Sequence, residues 1–117
     1  MGARIGYLTF DCDDALAVAH FWSVVLDQPV NDGATSEMAS ISTPGGLGLS
    51  FVQVPEGKTA KNRCHPDLVG GTAEECAALV ARAVEAGGTI VAQHEEGRFR
   101  WTTLTDPAGN ELCLGEG

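Results

Sequence analysis

Residues 14–26, DALAVAHFWSVVL, and residues 72–84, TAEECAALVARAV, carry one apolar pattern twice, 58 positions apart. Val18, Phe21, Trp22, Val25 and Leu26 in the first stretch are answered by Cys76, Leu79, Val80, Ala83 and Val84 in the second. Both sets have the three-and-four spacing that gathers apolar groups on one helical face. The starts correspond as well. Asp14 stands at an N-cap position, and its counterpart Thr72 is followed three residues later by Glu75, which makes a capping box. Two copies of one supersecondary unit are expected. Neither copy buries its sheet alone, so a concave surface shared by the two is the expected place for a ligand.

Strands flank each helix. Ile5 to Asp11 alternates, with Leu8, Phe10 and Cys12 on one side and Tyr7, Thr9 and Asp11 on the other. Pro29 blocks continuation of the first helix, and strands follow at about 37–42 and 47–54 around the turn Thr43-Pro44-Gly45-Gly46. The second copy opens with a strand over about 63–69, in which Cys64, Pro66 and Leu68 alternate with His65, Asp67 and Val69. Pro66 donates no ladder bond, so an edge or a bulge is expected there. A helix over about 73–86 stops at Gly87-Gly88. Strands at about 89–94, 98–105 and 110–114 complete the copy, with His94 to Gly97 as a hairpin turn and Asp106 to Asn110 as the last turn. Each half reads βαβββ, an α+β arrangement with unit 1 over about 3–55, a linker over 55–62 and unit 2 over about 63–115.

Composition sets the outer limits. The chain has 117 residues, which is the size of one domain, with 44% hydrophobic and 20% charged residues, as in ordinary globular proteins. Its net charge of −9 makes nucleic acid an unfavourable partner. No stretch is long enough for a membrane span and no signal peptide is visible, so the expected location is the cytoplasm. Four cysteines without a CxxC pair are read as reduced thiols, mostly buried. Lys58, Lys61 and Arg63 place three of the seven basic residues in or immediately after the linker, as a solvated connection.

If the helices cover one side of the sheets, the rows on the other side line the cavity. Those rows are Tyr7, Thr9 and Asp11; Gly48, Ser50 and Val52; His65, Asp67 and Val69; and Glu111 and Cys113.

The tandem βαβββ units, the segment Phe51 to Leu68 (FVQVPEGKTAKNRCHPDL) and the closing run Arg100 to Cys113 (RWTTLTDPAGNELC) resemble the vicinal oxygen chelate superfamily, and within it the small bacterial glyoxalase-like proteins. The resemblance implies two units curling around a shared cavity, as in the glyoxalase/bleomycin resistance/dihydroxybiphenyl dioxygenase fold, and assembly as a homodimer. It also implies a small organic ligand. Metal-dependent members place His, Gln or Glu at four strand positions, which match Tyr7, Ser50, His65 and Cys113 here. Only His65 is an ordinary ligand of that set, so no metal residue is assigned and a divalent metal stays open as cofactor.

Two residues are the catalytic candidates. His65 suits proton shuttling because an imidazole ring can both accept and donate a proton, and Glu111 supplies a carboxylate for acid/base work with it. Tyr7, Asp11, Asp67, Trp101 and Cys113 are the ligand-binding candidates, with Trp101 offering an apolar floor and an N–H. Two functions are compatible with these residues. One is a lyase or isomerase of the glyoxalase type, and the other is a metal-free protein that sequesters a drug or metabolite, as bleomycin-resistance proteins do.

Overall fold

The computed structural model describes residues 1–117, and its contacts divide the chain into two compact units, Met1–Gly57 and Lys58–Gly117. Unit 1 runs β1 (Tyr7–Cys12), α1 (Ala15–Leu26), β2 (Met38–Ser42) and β3 (Gly48–Gln53). Unit 2 runs β4 (Asp67–Val69), α2 (Ala73–Glu85), β5 (Thr89–Glu96), β6 (Phe99–Thr105) and β7 (Glu111–Gly115). The two sheets have orders β1-β3-β2 and β4-β7-β6-β5. No helix is long and apolar enough to cross a membrane.

Both units put their first and last strands side by side and parallel, because the helix carries the chain across between them. The second strand of βαβββ is complete only in unit 2. In unit 1 its place at the far edge is taken by a single bridge, Val30 to Ile41. Pro29 stands immediately before Val30 and has no N–H to give to a ladder, so the segment never extends into a strand.

The helix starts follow the sequence pattern. Asp14 Oδ1 accepts from the amides of Leu16 and Ala17 at 3.1 and 3.3 Å. Thr72 and Glu75 close a reciprocal capping box, with 3.2 Å from the Glu75 amide to Thr72 Oγ1 and 3.1 Å from the Thr72 amide to Glu75 Oε1. At the end of α2 the chain turns at Gly87 with φ of 107°, a left-handed value that a side chain resists.

The cores differ in kind. In unit 1, α1 buries Ala15, Val18, Ala19, Phe21, Trp22 and Val25 against β2 and β3. Trp22 stacks on Phe10 and Phe51 at 5.2 and 6.4 Å, and Phe21 meets it edge-on at 5.8 Å. Unit 2 has no aromatic centre. Its helix buries only Cys76 and Ala83, over Leu104, Leu112 and Leu114 of the sheet, while Val84, Ile90 and Val91 stay exposed.

Two departures in unit 2 matter for the site. β4 begins only at Asp67, because Pro66 offers a carbonyl to the Cys113 amide at 2.9 Å but has no N–H to return. Cys64, expected on the buried side of a strand starting near 63, is therefore exposed. The second departure is a register shift in β5. Ile90 pairs with Leu104, but Ala92 pairs with Thr103, so Val91 is an extra residue and every position after it changes sides. His94 consequently belongs to the strand, opposite Trp101, and the hairpin turn comes later, at Gly97.

Candidate functional site

Away from α2, the sheet of unit 2 presents a row of polar side chains that crosses all four strands. Asp67 on β4 faces Cys113 on β7, which faces Thr103 on β6. Thr103 Oγ1 lies 3.3 Å from Cys113 Sγ and 3.2 Å from His94 Nε2 on β5. The His94 ring lies on the Trp101 indole at 5.0 Å with the planes 19° apart. At the other end of the row, His65 Nδ1 is 3.2 Å from Asp67 Oδ1.

The row follows from alternation and one irregularity. Thr103 and Trp101 are two apart on β6 and share a side, as do His65 and Asp67. His94 joins them only through the extra residue at Val91. His65 stands just before the shortened β4, with its side chain 37% exposed, and Asp67 is 78% exposed, so both reach solvent and an incoming ligand. One ring nitrogen of His65, a carboxylate oxygen of Asp67 and Cys113 Sγ lie within 4.8 Å of one another.

A cavity of about 530 Å³ opens beside the row, lined by Asp67, Val69, Phe99, Trp101, Cys113 and Gly115, among others. Its size suits a small organic molecule. Phe99 and Val69 are 71% and 76% exposed, which leaves apolar surface uncovered at its mouth. Gly115 stands opposite Trp101, where a Cβ would come within 3.3 Å of the tryptophan's own Cβ, so glycine makes room for the indole.

Glu111 is differently engaged. Its Oε1 meets the Lys58 ammonium at 3.3 Å, and its Oε2 accepts the Asn62 backbone amide at 2.9 Å. Asn62 also reaches Asn110 Oδ1 at 3.1 Å through its side-chain amide. Burial alone would push the carboxyl of Glu111 up, but the Asn62 amide and the Lys58 ammonium outweigh it and hold its pKa below the ordinary glutamate range. The carboxylate fastens residues 58–62, the segment that leads into His65. Lys58, read from sequence as part of a solvated connection, is thus an internal partner.

Glu111→Gln is expected to cost about 1–3 kcal/mol of stability near neutrality, the range for a hydrogen-bonded charge losing its partner. The sign follows from linkage. A carboxylate with a depressed folded pKa adds stability above its unfolded pKa and loses it as pH falls through the folded one, so parent and variant should converge in acid. Urea unfolding at the two pH values checks this; equal midpoints near neutrality would mean that the clamp contributes nothing.

The last turn keeps Glu111 in place. Asp106 Oδ1 accepts from the amides of Ala108 and Asn110 at 2.9 and 3.0 Å, and the backbone closes from Asp106 N to Asn110 O at 2.9 Å. Cys76 lies on the helix side of the sheet. Burial, then the charge of Glu116, pushes its thiol up, and Sγ donates to the Gly115 carbonyl at 3.3 Å.

The remaining candidates are in unit 1. Tyr7 and Asp11 occupy the exposed row of β1, with the Tyr7 ring over Gly48, where a Cβ would approach its Cε1 to 2.5 Å. In the same row Thr9 Oγ1 and Ser50 Oγ share a hydrogen bond of 2.6 Å, at the place that Asp67 and Cys113 hold in unit 2. Within unit 2, then, the structure brings His65, Asp67 and Cys113 together, with Trp101 along the same row. His94 is the residue that sequence reasoning missed.

A model of the glyoxalase-like domain family matches residues 7–115. No curated protein matches the chain. Among solved structures, a glyoxalase/bleomycin resistance protein/dioxygenase family enzyme from Burkholderia phytofirmans superposes with a TM-score of 0.81 at 19% identity, covering 97% of this chain and 98% of that one. A fosfomycin resistance protein from Mesorhizobium loti gives 0.77 at 14% identity over 100% and 94%. A lactoylglutathione lyase from Agrobacterium tumefaciens gives 0.68 at 16% identity over 99% and 95%. At such identities the likeness shows the fold.

Proposed function

Because the chain belongs to the glyoxalase-like domain family, we propose that it binds a small organic molecule on the helix-free side of the second sheet and moves a proton on it. The reaction is of the lyase or isomerase kind. His65 is the base and then the acid, and Asp67 orients it. The observation that carries this reading is the 3.2 Å pair of His65 Nδ1 and Asp67 Oδ1 next to a cavity that Asp67 itself lines.

With the carboxylate accepting from Nδ1–H, the ring keeps its proton there and Nε2 presents a lone pair. Nε2 takes a proton from a carbon next to a carbonyl and returns it to a neighbouring atom of the same molecule, so the net charge of the pair is unchanged after turnover. Trp101 and Phe99 hold the apolar part of the ligand. Glu111 acts as a positioning residue by anchoring Lys58 and Asn62 ahead of His65. Assembly as a homodimer belongs to the same reading, supported by the exposed Val91 and Phe99.

The second reading, sequestration without turnover, is favoured by the uncovered apolar surface of Phe99 and Val69. One experiment separates the two. The protein is incubated in heavy water with carbonyl compounds bearing an acidic C–H, lactoylglutathione among them, and with fosfomycin. Deuterium entering a compound at a rate proportional to protein supports proton transfer. Saturable binding with no deuterium entering any compound supports sequestration and ends the proton-transfer reading.

A further inference from the structure

We propose that Cys113 is a nucleophilic thiol that captures α,β-unsaturated carbonyl compounds, with Thr103 and His94 as the relay that takes its proton. The three residues stand on neighbouring strands, β7, β6 and β5. Cys113 Sγ is 3.3 Å from Thr103 Oγ1, and Thr103 Oγ1 is 3.2 Å from His94 Nε2. With the thiol donating to the hydroxyl and the hydroxyl donating to the ring nitrogen, one proton leaves the sulfur as another arrives at His94. The hydroxyl ends as it began.

Two further observations set this thiol apart. Only the extra residue at Val91 brings His94 to the side of the sheet that Cys113 occupies, and bulges recur where a side chain is re-aimed beside a site of chemistry. The cavity of about 530 Å³ is lined by Cys113 together with Trp101 and Phe99, so an electrophile has room beside the sulfur and apolar surface to lie on. The buried thiols are placed otherwise. Cys12 and Cys76 donate to the backbone carbonyls of Val52 and Gly115, which do not take up a proton. A soft, polarisable sulfur prefers a soft carbon acceptor, and conjugate addition needs nothing beyond the proton that the relay holds.

The step balances by itself. Sγ bonds to the β-carbon of the acceptor, the C=C π pair moves to the carbonyl oxygen as an enolate, and the proton held by His94 returns through the hydroxyl or through water to the α-carbon. The product is a thioether, with S–H added across C=C and nothing oxidised or reduced. While His94 holds the proton its ring lies over the Trp101 indole at 5.0 Å, which favours the cation. On the other side of Cys113, within 4.8 Å of the sulfur, stand the Asp67 carboxylate and the His65 ring. The negative charge of Asp67 opposes a standing thiolate, so the proton leaves as the S–C bond forms. The proposal does not rest on the proton-transfer reading, because it assigns no step to His65 or Asp67.

The test is timed labelling of the reduced full chain with N-ethylmaleimide, a small member of the acceptor class, read by peptide mass spectrometry. Cys113 should react at least as fast as Cys64, although Cys64 is exposed and Cys113 only partly so. Thr103→Val and His94→Phe should each slow Cys113 at least about tenfold and leave Cys64 unchanged, whereas Thr103→Ser should keep the parental rate. His94→Phe keeps a ring on Trp101. The buried Cys12 and Cys76 report on folding, since they stay unlabelled unless a variant unfolds, and either folded variant suffices. Cys113 left unlabelled in the parent while Cys64 reacts, or a parental Cys113 rate in a folded Thr103→Val or His94→Phe, would overturn the proposal.

Discussion

His65→Ala is expected to lower deuterium exchange into a bound carbonyl compound by about 10²–10⁴-fold, the usual contribution of a positioned acid/base group. The imidazole is part exposed and pairs with Asp67 at 3.2 Å. Stability should therefore change by no more than about 0.5 kcal/mol, as for substitutions away from buried features. The contrast between a large catalytic loss and an unmoved unfolding midpoint is the informative part. A purely structural histidine would show the reverse. His65→Gln, which keeps a hydrogen-bonding side chain without the titrating ring, should be as inactive as the alanine variant. Retained exchange in both would move the proton-transfer role to another residue.

Trp22→Ala has the largest expected effect on folding, a loss of about 3–5 kcal/mol. Trp22 is fully buried and joins Phe10, Phe21 and Phe51 into one aromatic cluster that has no equivalent in unit 2. Removing the indole leaves a cavity that the surrounding rings, fixed on two strands and a helix, cannot close. A domain of this size has a total stability of about 5–15 kcal/mol, so the variant should sit close to the unfolding threshold at ambient temperature. Trp101→Ala makes the control, because that indole is only half-buried and should cost far less. Urea midpoints that fall equally in the two variants would contradict the assignment of Trp22 as the centre of the unit 1 core.

The parts legible in sequence are those decided by local periodicity. The Asp14 and Thr72 caps, the buried side of α1 and the alternation of β1 follow from spacing alone, and the structure has them where the residues place them. His65 and Asp67 on one side of the chain follow from the same rule. His94 does not. Straight alternation from Ile90 would put it on the helix side with Leu104, and only the extra residue at Val91 turns it toward Trp101 and Thr103. A bulge leaves no mark in a run such as Thr89 to Glu96, because either register buries some apolar residue.

Glu111 is a second case of hidden geometry. Its carboxylate is engaged by an amide 49 positions earlier, at Asn62, and by Lys58, and nothing in either segment announces the pairing. Pro66 lies between the two cases. The missing donor is legible and points to an edge, and β4 does lie at the edge of its sheet, but the shortening of the strand to three residues and the exposure of Cys64 are not legible.

The central claim is that chemistry takes place on the helix-free side of the second sheet. The chain has two tryptophans, Trp22 in the core of unit 1 and Trp101 beside the cavity of unit 2, so a nitrogen-edited NMR spectrum contains one indole signal for each. Titrating a compound that the protein binds or exchanges should move the Trp101 indole and the His65 ring resonances together and leave Trp22 in place. Movement of Trp22 and the unit 1 amides, with Trp101 and His65 unchanged, would contradict the account.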